Sequence, residues 1–267
     1  MKSSKYYIFL ILILGNLFCL KSYAFDQLNF NVTEIEILEN GNLIKGLKRG
    51  VITSDESIII EADEFEYEKS SNILNARGNV KITDKIKDYK ISSEEITYLK
   101  DLEKIVTKGF TNFLIKKKYD IKSKDIFYSD NEELISSNFE TKITDDNSNF
   151  YKLDKFSYKI DEEILKGENI IIVTNYNMPK SDKFYLSSAI INLEKEKIIA
   201  KDTEIKIHKN IFNNNENDPR LKGISSYSDR NNTIVNKGIF TSCKKTDNCP
   251  PWSIQAEKIT HDKNKKQ

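Results

Sequence analysis

The sequence predicts an elongated all-β protein built from repeats of about 30 residues, and three observations predict it. Tyr67, Tyr98, Tyr128 and Tyr158 follow one another at intervals of 31, 30 and 30 residues. Apolar and polar residues alternate, as in Val80-Lys81-Ile82 and Ile205-Lys206-Ile207, which is the period of a half-buried strand rather than of a helix. The composition, 38% hydrophobic and 31% charged with abundant Ile, Tyr and Phe, is lean for a compact globule. Sheets with one wet face reconcile these two properties.

Residues 1–24 read as a leader. Lys2 and Lys5 precede an apolar run from Tyr6 to Leu14, and the small residues Ser22 and Ala24 sit where a cut after Ala24 requires them. That is the layout of a secretory signal peptide. An uncleaved anchor is disfavoured, because a spanning helix needs about 20 apolar residues and Gly15-Asn16 interrupts this run. A lipoprotein cut at Cys19 is disfavoured by Phe18, a ring where a small residue should sit. Export removes Lys2, Lys5 and Lys21 and takes the formal charge from +1 to −2, so charge points to no partner.

Residues 25–54 form a lead-in segment, with Ile35 and Ile37 alternating on a possible first strand. The repeats occupy residues 55–209. Around each tyrosine the neighbours recur: two before it lie Phe65, Ile96, Ile126 and Phe156, and seven before it Ile60, Ile91, Ile121 and Tyr151. A fifth copy takes Asn192 as its anchor, 34 residues after Tyr158, which places Ile190 at the minus-two position. Seven after the anchors come Leu74, Ile105, Ile135, Leu165 and Ile199. Each unit therefore reads as two strands joined by polar turns such as 69–72 and 129–132, and stacked units extend facing sheets along one axis. Gly78, Gly109 and Gly167 fall near the second strand of three units, where a bulge or a close backbone approach is expected.

Two stretches break the period. Residues 175–183 look like an inserted loop, and residues 210–235, rich in Asn, Asp, Ser and Gly, read as an irregular connection. Residues 236–267 hold Cys243 and Cys249 and the opening of a sixth copy, Ile254, Ala256, Ile259 and His261. In an oxidising compartment these cysteines are expected to form disulfides rather than a zinc site, since neither His208 nor His261 flanks them at zinc-like spacing.

No catalytic constellation emerges. The carboxylates Glu61, Asp63, Glu64, Glu66 and Glu68 alternate with Ala62, Phe65 and Tyr67 as the wet face of a strand does. Phosphate-binding, nucleophile-elbow, zincin and dinucleotide motifs are missing, so no enzyme and no cofactor is expected. Lysines are spread among acids, which gives no nucleic-acid footprint. What remains is the inner face: Ile60, Phe65, Ile91, Ile96, Ile121, Ile126, Phe156 and Ile190 are the expected inward, lipid-binding candidates. Packed tightly, that lining is only a core; splayed apart, it is a groove for acyl chains. The sequence leaves both open, and with them two functions: a lipid-transport component, or a structural or adhesive β-repeat surface protein.

The repeat IIIEADEFEYEKSSNILNARGNVKITD resembles the OstA-type periplasmic repeat. The tail NKGIFTSCKKTDNCPPWSIQAEKITHD is similar to the junction between slide and barrel in the LPS-assembly outer-membrane (LptD) family. The resemblance covers about residues 55–267. It implies a V-shaped β-jelly roll with an apolar interior, on the periplasmic face of the outer membrane, that receives lipopolysaccharide from a bridge protein of the same fold. The barrel it feeds holds a plug lipoprotein. The chain stops inside the sixth repeat, so the resemblance implies an amino-terminal domain truncated before its barrel. It lacks the family's cysteine near the mature amino terminus. Cys243 and Cys249 then bond each other or pair with cysteines of the barrel.

Overall fold

The computed structural model describes residues 28–54, 57–212, 216–244 and 251–265. The expected leader, residues 1–24, lies outside them, as does Cys249. Among the described residues the protein is all-β, with twenty strands in one large antiparallel sheet.

β1 (Asn29–Leu38) and β2 (Leu43–Thr53) form the opening hairpin, so the lead-in segment is part of the sheet. β3 (Ile58–Ala62) and β4 (Glu64–Glu68) are one run parted at Asp63. β3 pairs with residues 50–53 of β2, and β4 with residues 43–46. β5 (Ile73–Asp84) pairs with both, and then with β6 (Tyr89–Leu99). From there the two halves run separately. One passes through β7 (Lys104–Lys108), β10 (Phe127–Ser129), β11 (Leu134–Ser137) and β14 (Lys155–Lys159). The other passes through β8 (Phe110–Ile115), β9 (Tyr119–Lys124), β12 (Thr141–Asp145) and β13 (Phe150–Leu153). Both rejoin on β15 (Ile164–Val173). β16 (Lys183–Asn192), β17 (Lys197–Lys206), β18 (Arg220–Ser228), β19 (Asn232–Thr241) and β20 (Ile254–Asp262) complete a meander.

Each long strand thus serves two ladders, with a bend between them, and the sequence builds the bends. At the first, the Asp63 amide donates to the carbonyls of Arg77 and Gly78, and Asn79 Nδ2 donates to the Asp63 carboxylate at 2.7 Å. Gly78 (φ +75) and Asn79 (φ 50) take the left-handed conformation of a β-bulge. A Cβ on Gly78 would meet Asp63 at 2.7 Å, so glycine is required twice over. Gly109 (φ 85) repeats the device, with its amide donating to Asp125 Oδ1 at 2.7 Å. Asn169 repeats it against Asp154 at 2.8 Å. Gly167 instead marks a close approach, since a Cβ there would lie 3.0 Å from the Lys155 carbonyl.

Two expectations need correction. Residues 210–235 are not simply an irregular connection: β18 and the first four residues of β19 lie there, in register with β17 and with each other. Among their buried residues Ser226, Ser228 and Thr233 are small and hydroxylated and interrupt the apolar Leu221 and Val235, so no continuous hydrophobic alternation announces the strands. The fifth anchor is Ile191, not Asn192, because Ile191 pairs with Leu165, the partner of Tyr158. A register slip of one residue exchanges the two faces of a strand.

One buried cluster runs from Leu28 to Ala200; a second, of Ile205, Leu221 and Val235, lies towards the C-terminal end.

Candidate functional site

The repeated tyrosines occupy one cross-strand row. Ile44, Tyr67, Leu74, Tyr98 and Ile105 sit opposite one another in turn. Tyr128, Ile135, Tyr158, Leu165, Ile191 and Ile198 continue the row. The other ladder carries its own row, Ile52, Ile60, Ile82, Ile91, Phe113 and Ile121. It goes on through Ile143, Tyr151, Ile172, Phe184, Ile205 and Leu221 to Phe240 and Ile254. Cross-strand neighbours of this kind are the unit of sheet stabilisation, each pair contributing roughly 0.2–1 kcal/mol.

Seven of the eight expected inward residues are buried: Ile60, Phe65, Ile91, Ile96, Ile121, Ile126 and Phe156 are each exposed by 4% or less. Ile190 is the exception, 46% exposed on the opposite face, where it pairs with the exposed Ile199. The one-residue slip in the fifth copy explains both. Ala189 and Ile191 are the buried residues there.

The two ladders face each other, and their far ends meet across a mouth lined by the turns. Lys87 Nζ lies 2.5 Å from Asp130 Oδ1, and Lys118 Nζ binds both carboxylate oxygens of Glu163 at 2.9 and 3.1 Å. Each pair joins a turn of one ladder to a turn of the other. Aromatic rings pack behind these clasps: Tyr89 sits edge-on to Tyr128 at 5.1 Å, and Tyr119 to Tyr158 at 5.5 Å. Tyr119 Oη donates to Glu163 at 3.0 Å and Tyr128 Oη to Asp130 at 2.5 Å. Burial, reinforced by nearby carboxylates (Asp84 and Asp130 for Tyr89 and Tyr128, Glu163 for Tyr119 and Tyr158, Asp145 for Tyr151), pushes these five phenols far up from their ordinary range. Burial alone would lower the Lys118 ammonium, but the hydrogen bond and charge of Glu163 outweigh it and the net shift is upward. The clasps were not legible beforehand, because Lys118 and Glu163 lie 45 residues apart in polar turns.

A seam of buried hydroxyls follows the bend. Thr111 Oγ1 donates to Thr107 at 2.7 Å, Ser93 and Thr111 share a bond of 3.1 Å, and Ser123 and Thr141 one of 2.7 Å. Thr107 Oγ1 accepts from the Ile126 amide at 2.8 Å. These groups satisfy backbone atoms that the bend takes out of the ladders, since a buried polar group left unpaired costs about 1–3 kcal/mol.

Cys243 carries a free, half-buried thiol, its Sγ 3.7 Å from the Trp252 carbonyl. Among the described residues no three His, Cys, Asp or Glu side chains are placed to share a metal ion, and no helix is long and apolar enough to cross a membrane. No family model matches the chain, and no curated protein matches it.

Proposed function

We propose that this chain is a lipopolysaccharide slide: a periplasmic β-jelly roll of about 30-residue repeats. It accepts lipopolysaccharide from a bridge protein of the same type and passes it to an outer-membrane barrel that holds a plug lipoprotein. The observation that carries the reading is the pair of apolar rows, one on each ladder, which line the interior from β2 to β17 without a charged residue. The resemblance to the OstA-type repeat and to the slide-to-barrel junction supports it. Among the described residues β1 pairs on one side only, and such an edge is a template for a strand of the bridge protein.

The interior is packed, so acyl chains enter only if the ladders part at the mouth. Two part-buried clasps at the mouth resist this. Burying an acyl chain of about a dozen methylenes returns roughly 10 kcal/mol, and the chain replaces the side-chain contacts that the separation breaks. A second reading, a structural or adhesive repeat protein with a permanently dry core, is favoured by the same closed mouth. In either case export brings Cys243 and Cys249 together under oxidising conditions, and thiol counting should find no free cysteine.

Lipid extraction and mass spectrometry on the exported chain decide between the readings. The slide retains lipopolysaccharide in a ratio near one per chain. A chain that carries none, and takes up none from micelles, is the packed structural protein.

A further inference from the structure

At the mouth of the isoleucine ladder, between the inserted loop and the residues after β17, lies an open cavity of about 460 Å³. Its rim holds Lys183, Lys206, Lys209, Arg220 and His208, and its floor is Ile207 with Pro219. Three of these cations are direct cross-strand neighbours, for Lys183 sits opposite Lys206 and Lys206 opposite Arg220. Like charges placed directly opposite are destabilising, and nothing in the apolar rows beneath requires them.

Carboxylates stand among these cations, and one of them, Asp218, itself lines the cavity. Lys209 pairs with Asp218 at 3.1 Å, and His208 Nδ1 is bound to Asp182 at 2.8 Å. Lys206 reaches Glu204 at 3.7 Å and stands over the Tyr185 ring at 3.9 Å, while Glu204 also serves Lys222. Arg220 is fixed through Nη1 by two main-chain carbonyls, Asp218 at 3.0 Å and Cys243 at 2.6 Å. Neither carbonyl neutralises it. On the same wall Ser181 Oγ is buried and has no hydrogen-bond partner. A fixed guanidinium, neighbouring lysines and an unsatisfied hydroxyl are a donor set that suits a phosphate. The apolar floor adjoins the small second core, since Ile207 packs against Ile205, Leu221 and Val235.

We propose that this cavity binds a phosphate monoester, with Lys183, Lys206 and Arg220 as the charge-bearing contacts and Ser181 as a neutral donor. Resting on the slide reading, it takes the phosphate of a lipid headgroup at the strand ends, on the face opposite Phe184, Ile205 and Leu221, while the acyl chains pass round those ends to the apolar rows. The site also suits free phosphate, so the test separates the two sources.

The full exported chain is titrated calorimetrically at low salt with inorganic phosphate, with phosphorylated lipid A in neutral detergent micelles, and with the same lipid stripped of phosphate. The variant Lys183→Gln/Lys206→Gln removes two of the three charged contacts. Phosphate and phosphorylated lipid both bind, the stripped lipid binds more weakly, and the variant loses about tenfold on the phosphorylated ligands, a few-fold for each charge removed. Binding of inorganic phosphate alone upholds the cavity and overturns its role as a headgroup site. Lipid binding that ignores both phosphate removal and the variant overturns the cavity while leaving the slide intact. No heat with any ligand overturns both.

Discussion

Residues 58–173 and residues 183–262 share one alternation of strands, yet they treat their inner faces differently. In the first stretch both rows are apolar or aromatic, a single cluster fills the space, and two ion pairs clasp the mouth. In the second the isoleucine row continues, but the tyrosine row changes chemistry: beyond Ile198 it is occupied by Ser228 and Thr233. The outer face changes in the opposite sense. Its row begins Lys45, Glu66, Asn75, Thr97 and later runs Ile190, Ile199, Tyr227, Ile234 before reaching Thr260. Backbone pairing therefore continues unbroken while the polarity of one ladder inverts. Most of the main core lies in the first stretch, and it runs on only as far as Ala200; the hydroxyl-bearing end of the tyrosine row and the cation-rimmed cavity belong to the second.

Truncating equivalent rings should separate the two stretches most strongly. Phe113 is fully buried between Tyr89 and Tyr128, so Phe113→Ala should cost about 3–5 kcal/mol in urea unfolding. Phe240 occupies the same row but is half-buried against Trp252, and Phe240→Ala should cost no more than about 2 kcal/mol. Equal losses would erase the distinction.

The inversion itself is tested by adjacent residues. Ile191→Asn places an amide in the inner row and should cost roughly 2–3 kcal/mol, whereas Ile190→Asn on the outer face should stay within about 0.5 kcal/mol. The opposite ranking would restore the register in which Asn192 is the anchor.

Alkali should strike the first stretch. Its buried tyrosines bind their protons more tightly when folded than the ordinary 10.0 of the unfolded phenol. Above that pH the unfolded chain holds fewer protons than the folded one, so stability present below pH 10 is lost as pH rises, by about 1.4 kcal/mol per unit for each such tyrosine. Ultraviolet titration should show these phenols ionising only as the fold is lost; early, reversible ionisation would mean that the mouth is already open.

The parts of this architecture that were legible in the sequence are those where one side-chain type repeats at fixed spacing. The tyrosine interval placed Tyr67, Tyr98, Tyr128 and Tyr158 on one face, and the glycines near the second strands pointed to the bends. The reading failed where a loop of unknown length reset the phase: the insertion before Lys183 shifted the frame by one, and one residue suffices to turn Ile190 outward. It failed again at β18, where only Leu221 is apolar among the buried positions and Ser226 and Ser228 carry no apolar signal. The clasps and the cation row were out of reach for a third reason. Each joins residues distant in the chain, and only the pairing of strands brings Lys183, Lys206 and Arg220 side by side.

Photocrosslinking in living cells tests the central claim most directly. Probes at Ile96, Ile121 and Phe156, on the inner face, should capture lipopolysaccharide, while probes at Glu66 and Lys159, on the alternate face, should not. Equal labelling of both faces, or none at the inner positions, would contradict a lipid-carrying interior.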